Sequence, residues 1–189
     1  MTIDYYSKMP EICEVALTAQ YLTTKLKNRY ITGIHIVAGK YTHQALPGKD
    51  LIPKYQPLKV IKIDSKGKFM WMELKNLDNV EIYILNNFGL TGEWSFYDDK
   101  SDRVIFDVET HPNEPHNKKY KLHYADARNF GLLQITDDRK VLDNKINKLA
   151  PDILKTSFSV KDFIGWVHNY LKKSPKRKDA SETEIPLYQ

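Results

Sequence analysis

The chain holds one cysteine, Cys13, in 189 residues. An internal disulfide framework is therefore excluded, as is a cysteine-rich zinc site built from this chain alone, and a reducing, intracellular setting is the default. No stretch approaches the length of a membrane span, so no membrane partner is expected. The first eight residues, MTIDYYSK, lack the apolar core of a signal peptide. What is present is enough apolar material for one core: 41% hydrophobic and 12% aromatic residues. Lys and Arg exceed Asp and Glu by 29 to 24. That modest excess favours an anionic partner without identifying one.

The hydrophobic period divides the chain. Ile12, Val15, Ala19, Leu22 and Leu26 recur at spacings of three and four, which predicts a helix with one buried stripe. Pro10 and the acidic Glu11 and Glu14 suit the start of such a helix, and it should end near Asn28. From Ile31 onward, short runs of β-branched and aromatic residues are separated by turn chemistry such as Ala45-Leu46-Pro47-Gly48 and Pro112-Asn113-Glu114-Pro115. They predict strands near Ile31 to Ala38, Leu58 to Asp64, Phe69 to Leu74, Val80 to Leu85, Gly92 to Tyr97, Arg103 to Glu109, Lys119 to Tyr124 and Phe130 to Ile135. Eight strands with no helices between them argue for an antiparallel sandwich or barrel rather than a parallel sheet. An irregular connection through Leu149-Ala150-Pro151-Asp152 then leads to a second helix, marked by Val160, Phe163, Ile164, Val167 and Leu171. A basic, proline-broken tail, Lys172 to Lys178, follows. The expected fold is thus mainly β with flanking helices: an N-terminal helix, an eight-stranded antiparallel β-sandwich, a C-terminal helix and a basic tail.

A proline and glutamate at a helix start are, alone, ordinary capping chemistry. Their companions make them more than that. Met9-Pro10-Glu11-Ile12-Cys13-Glu14-Val15 resembles the Met-Pro-Glu-x-Pro-Glu-Val start of the formamidopyrimidine-DNA glycosylase and endonuclease VIII family, with Cys13 in place of the second proline. Lys66-Gly67-Lys68-Phe69 resembles the family's Arg-Gly-Lys-Tyr, and Phe88-Gly89-Leu90-Thr91-Gly92 its Gly-Met-Ser/Thr-Gly turn. Asp126-Ala127-Arg128-Asn129-Phe130-Gly131 resembles Asp-x-Arg-Arg-Phe-Gly, and Leu149-Ala150-Pro151-Asp152-Ile153-Leu154 resembles Leu-Gly-Pro-Asp-x-Leu. Five motifs stand in the family's order. The resemblance implies a leader over residues 1–9, a catalytic domain over 10–158 and the start of a helical C-terminal region over 159–189.

The resemblance implies base excision repair of oxidised bases on damaged double-stranded DNA, by a glycosylase that is also a lyase at abasic sites. Pro10 would be the nucleophile, because a secondary amine can attack the sugar C1′ and form an iminium that later serves as an electron sink. Glu11 would move protons, and Glu14 would support the site. Lys68 matches a lysine that meets phosphate beside the damaged nucleotide; by itself it reads as a solvated lysine at a strand end. Leu90, Arg128 and Phe130 correspond to the triad that fills the hole left by an extruded nucleotide, which costs a few kcal/mol in stacking to expel. Core packing at strand ends is the plainer alternative for Leu90 and Phe130. Leu90 replaces the usual methionine and keeps its volume. Asn87 and Asn129 stand where relatives carry cationic residues.

Two features qualify the expected activity. Pro10 follows Met9 and eight further residues, and an internal proline nitrogen is an imide without a nucleophilic lone pair. Translation from Met9 followed by methionine removal would expose it; a retained leader would silence it. The family's helix-two-turn-helix and its finger have no counterpart here, so no zinc or other cofactor is expected, and phosphate grip is reduced. A separate C-terminal half is accordingly an expected partner, and a catalytically silent remnant that binds damaged DNA is the alternative to an enzyme. An unrelated sandwich binding protein or carbohydrate is a third reading. Oxidised purines and oxidised pyrimidines both remain open as substrates.

Overall fold

A computed structural model describes residues 11–152, 154–155, 157 and 159–173. Helix α1, Ile12–Leu26, buries Val15, Ala19, Leu22 and Leu26, the stripe set by the three-and-four spacing, while Ile12 is only half-buried. Each of the two leucines adds roughly 1.5–3 kcal/mol by leaving water. The N-cap is Glu11, so Pro10 precedes the helix in sequence and itself lies outside the described residues. The helix stops at Lys27, followed by Asn28 with a positive φ of 59°, a left-handed conformation in which asparagine ends helices.

Eight strands follow: β1 Tyr30–Ile36, β2 Leu58–Lys66, β3 Phe69–Lys75, β4 Glu81–Asn87, β5 Gly92–Ser95, β6 Asp102–Glu109, β7 Lys119–Asp126 and β8 Leu132–Thr136. They form one antiparallel sheet in the order β5-β7-β6-β1-β2-β3-β4-β8. β1 and β2 pair only at Tyr30↔Lys59 and Ile31↔Leu58. At that short seam the sheet folds over, and Trp94, Val104, Phe106, Leu122 and Tyr124 of one half share a core with Ile63, Met70, Met72, Ile84 and Ile135 of the other. The result is the expected sandwich. In β2 the buried positions run Leu58, Val60, then Ile63 and Ser65, because a bulge between Val60 and Lys62 shifts the alternation by one residue.

Two α-helices, besides a single 3₁₀ turn at Lys40–Thr42, depart from the strand-only reading. α2, Leu51–Tyr55, lies between β1 and β2 and plugs Ile52 into the core. α3, Arg139–Lys148, occupies part of what the sequence suggested was an irregular connection. It starts at Asp138, whose carboxylate accepts the Lys140 N–H at 2.8 Å. Its Leu142 packs with Phe69, Trp71, Tyr83 and Leu85 in a second, smaller core on the outer face of β3 and β4.

The chain divides into two compact units, Met1–Pro151 and Asp152–Gln189. Within the second, α4 spans Val160–Lys173 and is capped reciprocally: Ser159 Oγ accepts the Asp162 N–H at 3.1 Å, and the Asp162 carboxylate accepts the Ser159 N–H at 3.1 Å. The basic run beginning at Lys172 enters α4 and continues outside the described residues.

Candidate functional site

The strand register carries separate loops to one end of the sandwich. The β2–β3 hairpin closes through Gly67 and Lys68, since Lys66 pairs with Phe69. Gly67 has a φ of +57° at the first turn position, where only glycine fits easily, and Lys68 is exposed beside it. Phe69 pairs with Asn87, and the chain then turns through Phe88, Gly89, Leu90 and Thr91 into β5. Asn87 pairs on its other side with Leu132, and Gly92 with Asp126. The 126–131 loop is therefore held at the same end from both sides. Thr23 Oγ1 of α1 reaches the Ile63 carbonyl at 3.3 Å, whereas the helix's C-terminal exit meets the start of β2 through the 2.8 Å bond from Val60 N–H to the Arg29 carbonyl. The N-terminus of α1, with Glu11, consequently points toward the Gly67-Lys68 end.

At that N-terminus the Glu11 backbone N–H donates to Glu14 Oε2 at 2.9 Å. Glu14 thus fixes the backbone atom that directly follows Pro10 in sequence, and its charge sits at the positive end of the helix dipole. The Glu11 side chain is exposed.

The two loops carrying Leu90, Arg128 and Phe130 are tied by a buried carboxylate. Asp126, only 1% exposed, accepts the Thr91 hydroxyl at 2.5 Å through Oδ1 and the Gly131 N–H at 2.7 Å through Oδ2. The same Thr91 oxygen accepts the Arg128 N–H at 3.0 Å. The loops touch closely at Gly89: with a φ of +64°, a Cβ there would stand 2.5 Å from the Gly131 nitrogen. That distance excludes a side chain. Held this way, Leu90 is half-buried, Arg128 is exposed, and Phe130 projects with 61% of its surface in solvent. Core packing does not describe Phe130.

Sequence reasoning missed two cations that shape this loop. Arg103 donates from Nε to the Asp126 carbonyl at 2.9 Å and from Nη2 to the Ala127 carbonyl at 3.3 Å. Lys40 Nζ donates to the Gly131 carbonyl, and burial holds its ammonium below the ordinary lysine range, with Asp126 opposing that shift. Neither residue falls in a recognisable motif, and only the fold brings them to the loop. Asn129, noted in the sequence for a missing charge, has a φ of +57° and accepts the Lys40 N–H through Oδ1 at 3.2 Å. It serves the turn. Among the described residues, one group converges ligand atoms in the manner of a metal site: Asp98, Asp102 and His123. There His123 Nδ1 and Asp102 Oδ2 are already paired at 2.7 Å, and Asp98 lies 3.4 Å from Nε2.

The chain is similar to known proteins over most of its length. A model of the formamidopyrimidine-DNA glycosylase N-terminal domain matches residues 9–133. The chain belongs to this family. Among curated formamidopyrimidine-DNA glycosylases it is 30% identical to one from Ureaplasma parvum over 176 residues, covering 89% of this chain and 58% of the relative. It is 29% identical over 201 residues to another from Prochlorococcus marinus subsp. pastoris, covering 96% and 63%. The chain thus spans less than two thirds of the length of each. The crystal structure of the MutM (Fpg) protein from Thermus thermophilus superposes with a TM-score of 0.64 at 17% identity, covering 85% of this chain and 53% of that one. A MutM complex with DNA containing carbocyclic 8-oxo-G gives 0.57 at 20% identity, covering 74% and 48%. Both share the formamidopyrimidine-DNA glycosylase fold seen here, an N-terminal helix beside an eight-stranded sheet.

Proposed function

We propose that this chain is the catalytic half of a base excision repair enzyme, a DNA N-glycosylase with lyase activity at abasic sites. The observation that carries the reading is the convergence, at one end of the sheet, of the α1 N-terminus, the Lys68 turn and the tied loops presenting Leu90, Arg128 and Phe130. Family membership supports it, as do relatives solved with damaged DNA, including a Lactococcus lactis protein bound to DNA containing N7-benzyl-Fapy-dG.

In this reading, translation starts at Met9, and removal of that methionine makes Pro10 the free N-terminus. Its nitrogen lone pair attacks C1′, the glycosidic bond breaks, and its electron pair leaves with the base, which takes up a proton. The nitrogen then gives up its own proton and shares its lone pair with C1′ as the C1′–O4′ bond breaks and O4′ takes up a proton, forming an iminium. Loss of a C2′ proton feeds electrons into the iminium and expels the 3′ phosphate. Glu11 shuttles protons in these steps, and Glu14 holds the Glu11 backbone so that the nucleophile is aimed. Lys68, an exposed lysine without a hydrogen-bond or ion-pair partner among the described residues, takes a phosphate. Phe130 and Leu90 fill the emptied stack while Arg128 faces the orphaned base. A C-terminal half, joined or separate, supplies the remaining phosphate grip.

Borohydride trapping tests this on duplex DNA bearing an abasic site, with protein beginning at Pro10 and a C-terminal half supplied. A covalent adduct should form, and should be lost when residues 1–9 are retained. The sequence motivates one rival: with its leader intact, the chain is a silent binder of damaged DNA. No adduct from either form, with salt-sensitive binding that survives Glu11→Gln, would establish that rival instead.

A further inference from the structure

At the other end of the sandwich, far from the site above, an open cavity of about 280 Å³ is lined by Tyr21, Lys25, Arg29, Phe96, Tyr97, Val108 and Tyr120. Its remoteness follows from the register. In β6, Asp102 pairs with Ala125 next to the tied loops, whereas Val108 pairs with Tyr120 roughly 20 Å further along the strand. Tyr21 lies roughly 15 Å down α1 from Glu11. The cavity opens where the inner face of β6 and β7 runs out beneath the C-terminal turns of α1.

The lining is unusual for a structural crevice. Tyr21 and Tyr120 are each 41% exposed and Tyr97 is 79% exposed, so flat aromatic surface is left in water beside a finished core. Phe96 meets Tyr21 edge to face at 6.2 Å, which fixes one wall. The exposed loop after β5 is anchored by Asp98 against the buried His123, 3.4 Å away, so Tyr97 is offered from a tethered segment. The two cations lie over ring faces: Lys25 Nζ is 5.7 Å from the Tyr21 centroid, and the Arg29 guanidinium is 5.2 Å from that of Tyr120. Among the described residues, no acidic side chain lines the cavity. An aromatic cage for a cationic ligand is disfavoured, because its ring faces already carry positive charge. The complementary ligand is flat, aromatic and negatively charged.

We propose that this cavity is a second binding site, for a nucleotide whose base stacks among Tyr21, Phe96, Tyr97 and Tyr120 and whose phosphate meets Lys25 and Arg29. Stacking on exposed aromatics tolerates any base, because every base has a π face, and two cations at the rim supply phosphate affinity that salt weakens. Either a free nucleotide or a nucleotide of a single strand presents that chemistry. The site is independent of the repair reading, since it shares no residue with it.

The test is a titration of the whole chain with deoxyadenosine monophosphate, with deoxyadenosine, and with a short fluorescein-labelled oligodeoxythymidylate. Saturable binding of the monophosphate, the oligonucleotide or both that Tyr97→Ala weakens supports the site, and which of them binds in that way identifies the source. Tyr97→Ala, at a largely solvent-exposed position, should weaken it about tenfold, and Arg29→Gln likewise. Removing the phosphate should cost a similar factor. Lys54→Gln, at an exposed lysine of α2 outside both sites, should leave it unchanged. The proposal is overturned if neither phosphate-bearing probe binds, if deoxyadenosine binds as tightly as its monophosphate, or if binding survives Tyr97→Ala undiminished.

Discussion

Thr91 and Asp126, 35 positions apart in sequence, meet through a 2.5 Å hydrogen bond in which the hydroxyl donates to a buried carboxylate. The threonine oxygen simultaneously accepts the Arg128 N–H, so one hydroxyl serves both loops of the candidate wedge. Thr91→Val keeps the side chain's shape but removes donor and acceptor together, leaving Asp126 Oδ1 buried without that partner. Chemical denaturation should show a loss of about 2 kcal/mol, typical of an unsatisfied buried charged group. Thr91→Ser should restore most of it. Equal stability in Thr91→Val and wild type would mean that the tie does not hold the loops.

Phe130 separates stability from binding. Because 61% of it is exposed, Phe130→Ala should change unfolding free energy by less than about 0.5 kcal/mol. Phe106, fully buried in the shared core, should lose roughly 3–5 kcal/mol on truncation to alanine. If Phe130 is the wedge, its truncation should nevertheless weaken binding to abasic duplex DNA markedly and leave binding to intact duplex almost unaltered. Equal weakening on both would assign it to general DNA contact instead.

The same contrast explains what could be read in the sequence. All eight strands were legible because alternating or continuous apolar runs were bounded by strong turn residues, and α1 because its stripe was complete. α3 was not: Leu142, Ile146 and Leu149 have helical spacing, but with Val141 they are too few among polar residues to make a strong stripe. Its trace lies instead in β3, where Phe69, Met70, Trp71 and Met72 are all buried, a run that requires cover on both faces. In the site, motif residues were legible, while Arg103, Lys40 and the acceptor role of Asn129 depend on contacts between distant segments.

Glu14 and Glu11 should divide along function. Glu14 accepts the Glu11 N–H, so Glu14→Ala should cost about 1 kcal/mol through the lost cap. Glu14→Gln retains an acceptor oxygen and should cost less. The exposed Glu11 side chain should tolerate Glu11→Gln with little change in stability, and if it shuttles protons, base release should fall by about 10²–10⁴-fold. Circular dichroism melts together with single-turnover base release would separate these effects, and undiminished release in Glu11→Gln would remove it from the mechanism.

Alkaline stability offers a check on the core that needs no substrate. Burial raises the pKa of Tyr41 and, much further, of Tyr124, above the ordinary tyrosine value of 10.0. The native state then keeps protons that the unfolded chain releases, so their contribution is complete below pH 10 and is lost as pH rises beyond it. Half-buried Lys40 and Lys145, whose pKa values are lowered by desolvation, act in the opposite sense below 10.5. The Tyr124 hydroxyl has no hydrogen-bond partner among the described residues; neighbouring Asn86 is engaged by Trp94 Nε1 at 2.9 Å and the Leu132 carbonyl at 3.2 Å. Tyr124→Phe should therefore leave stability equal or higher at pH 8. Between pH 10 and 11 the wild type should lose stability faster than the variant, by up to about 1.4 kcal/mol per pH unit. Urea titrations of both proteins across that range measure the difference, and parallel pH profiles would show that Tyr124 ionises as readily in the fold as in the unfolded chain.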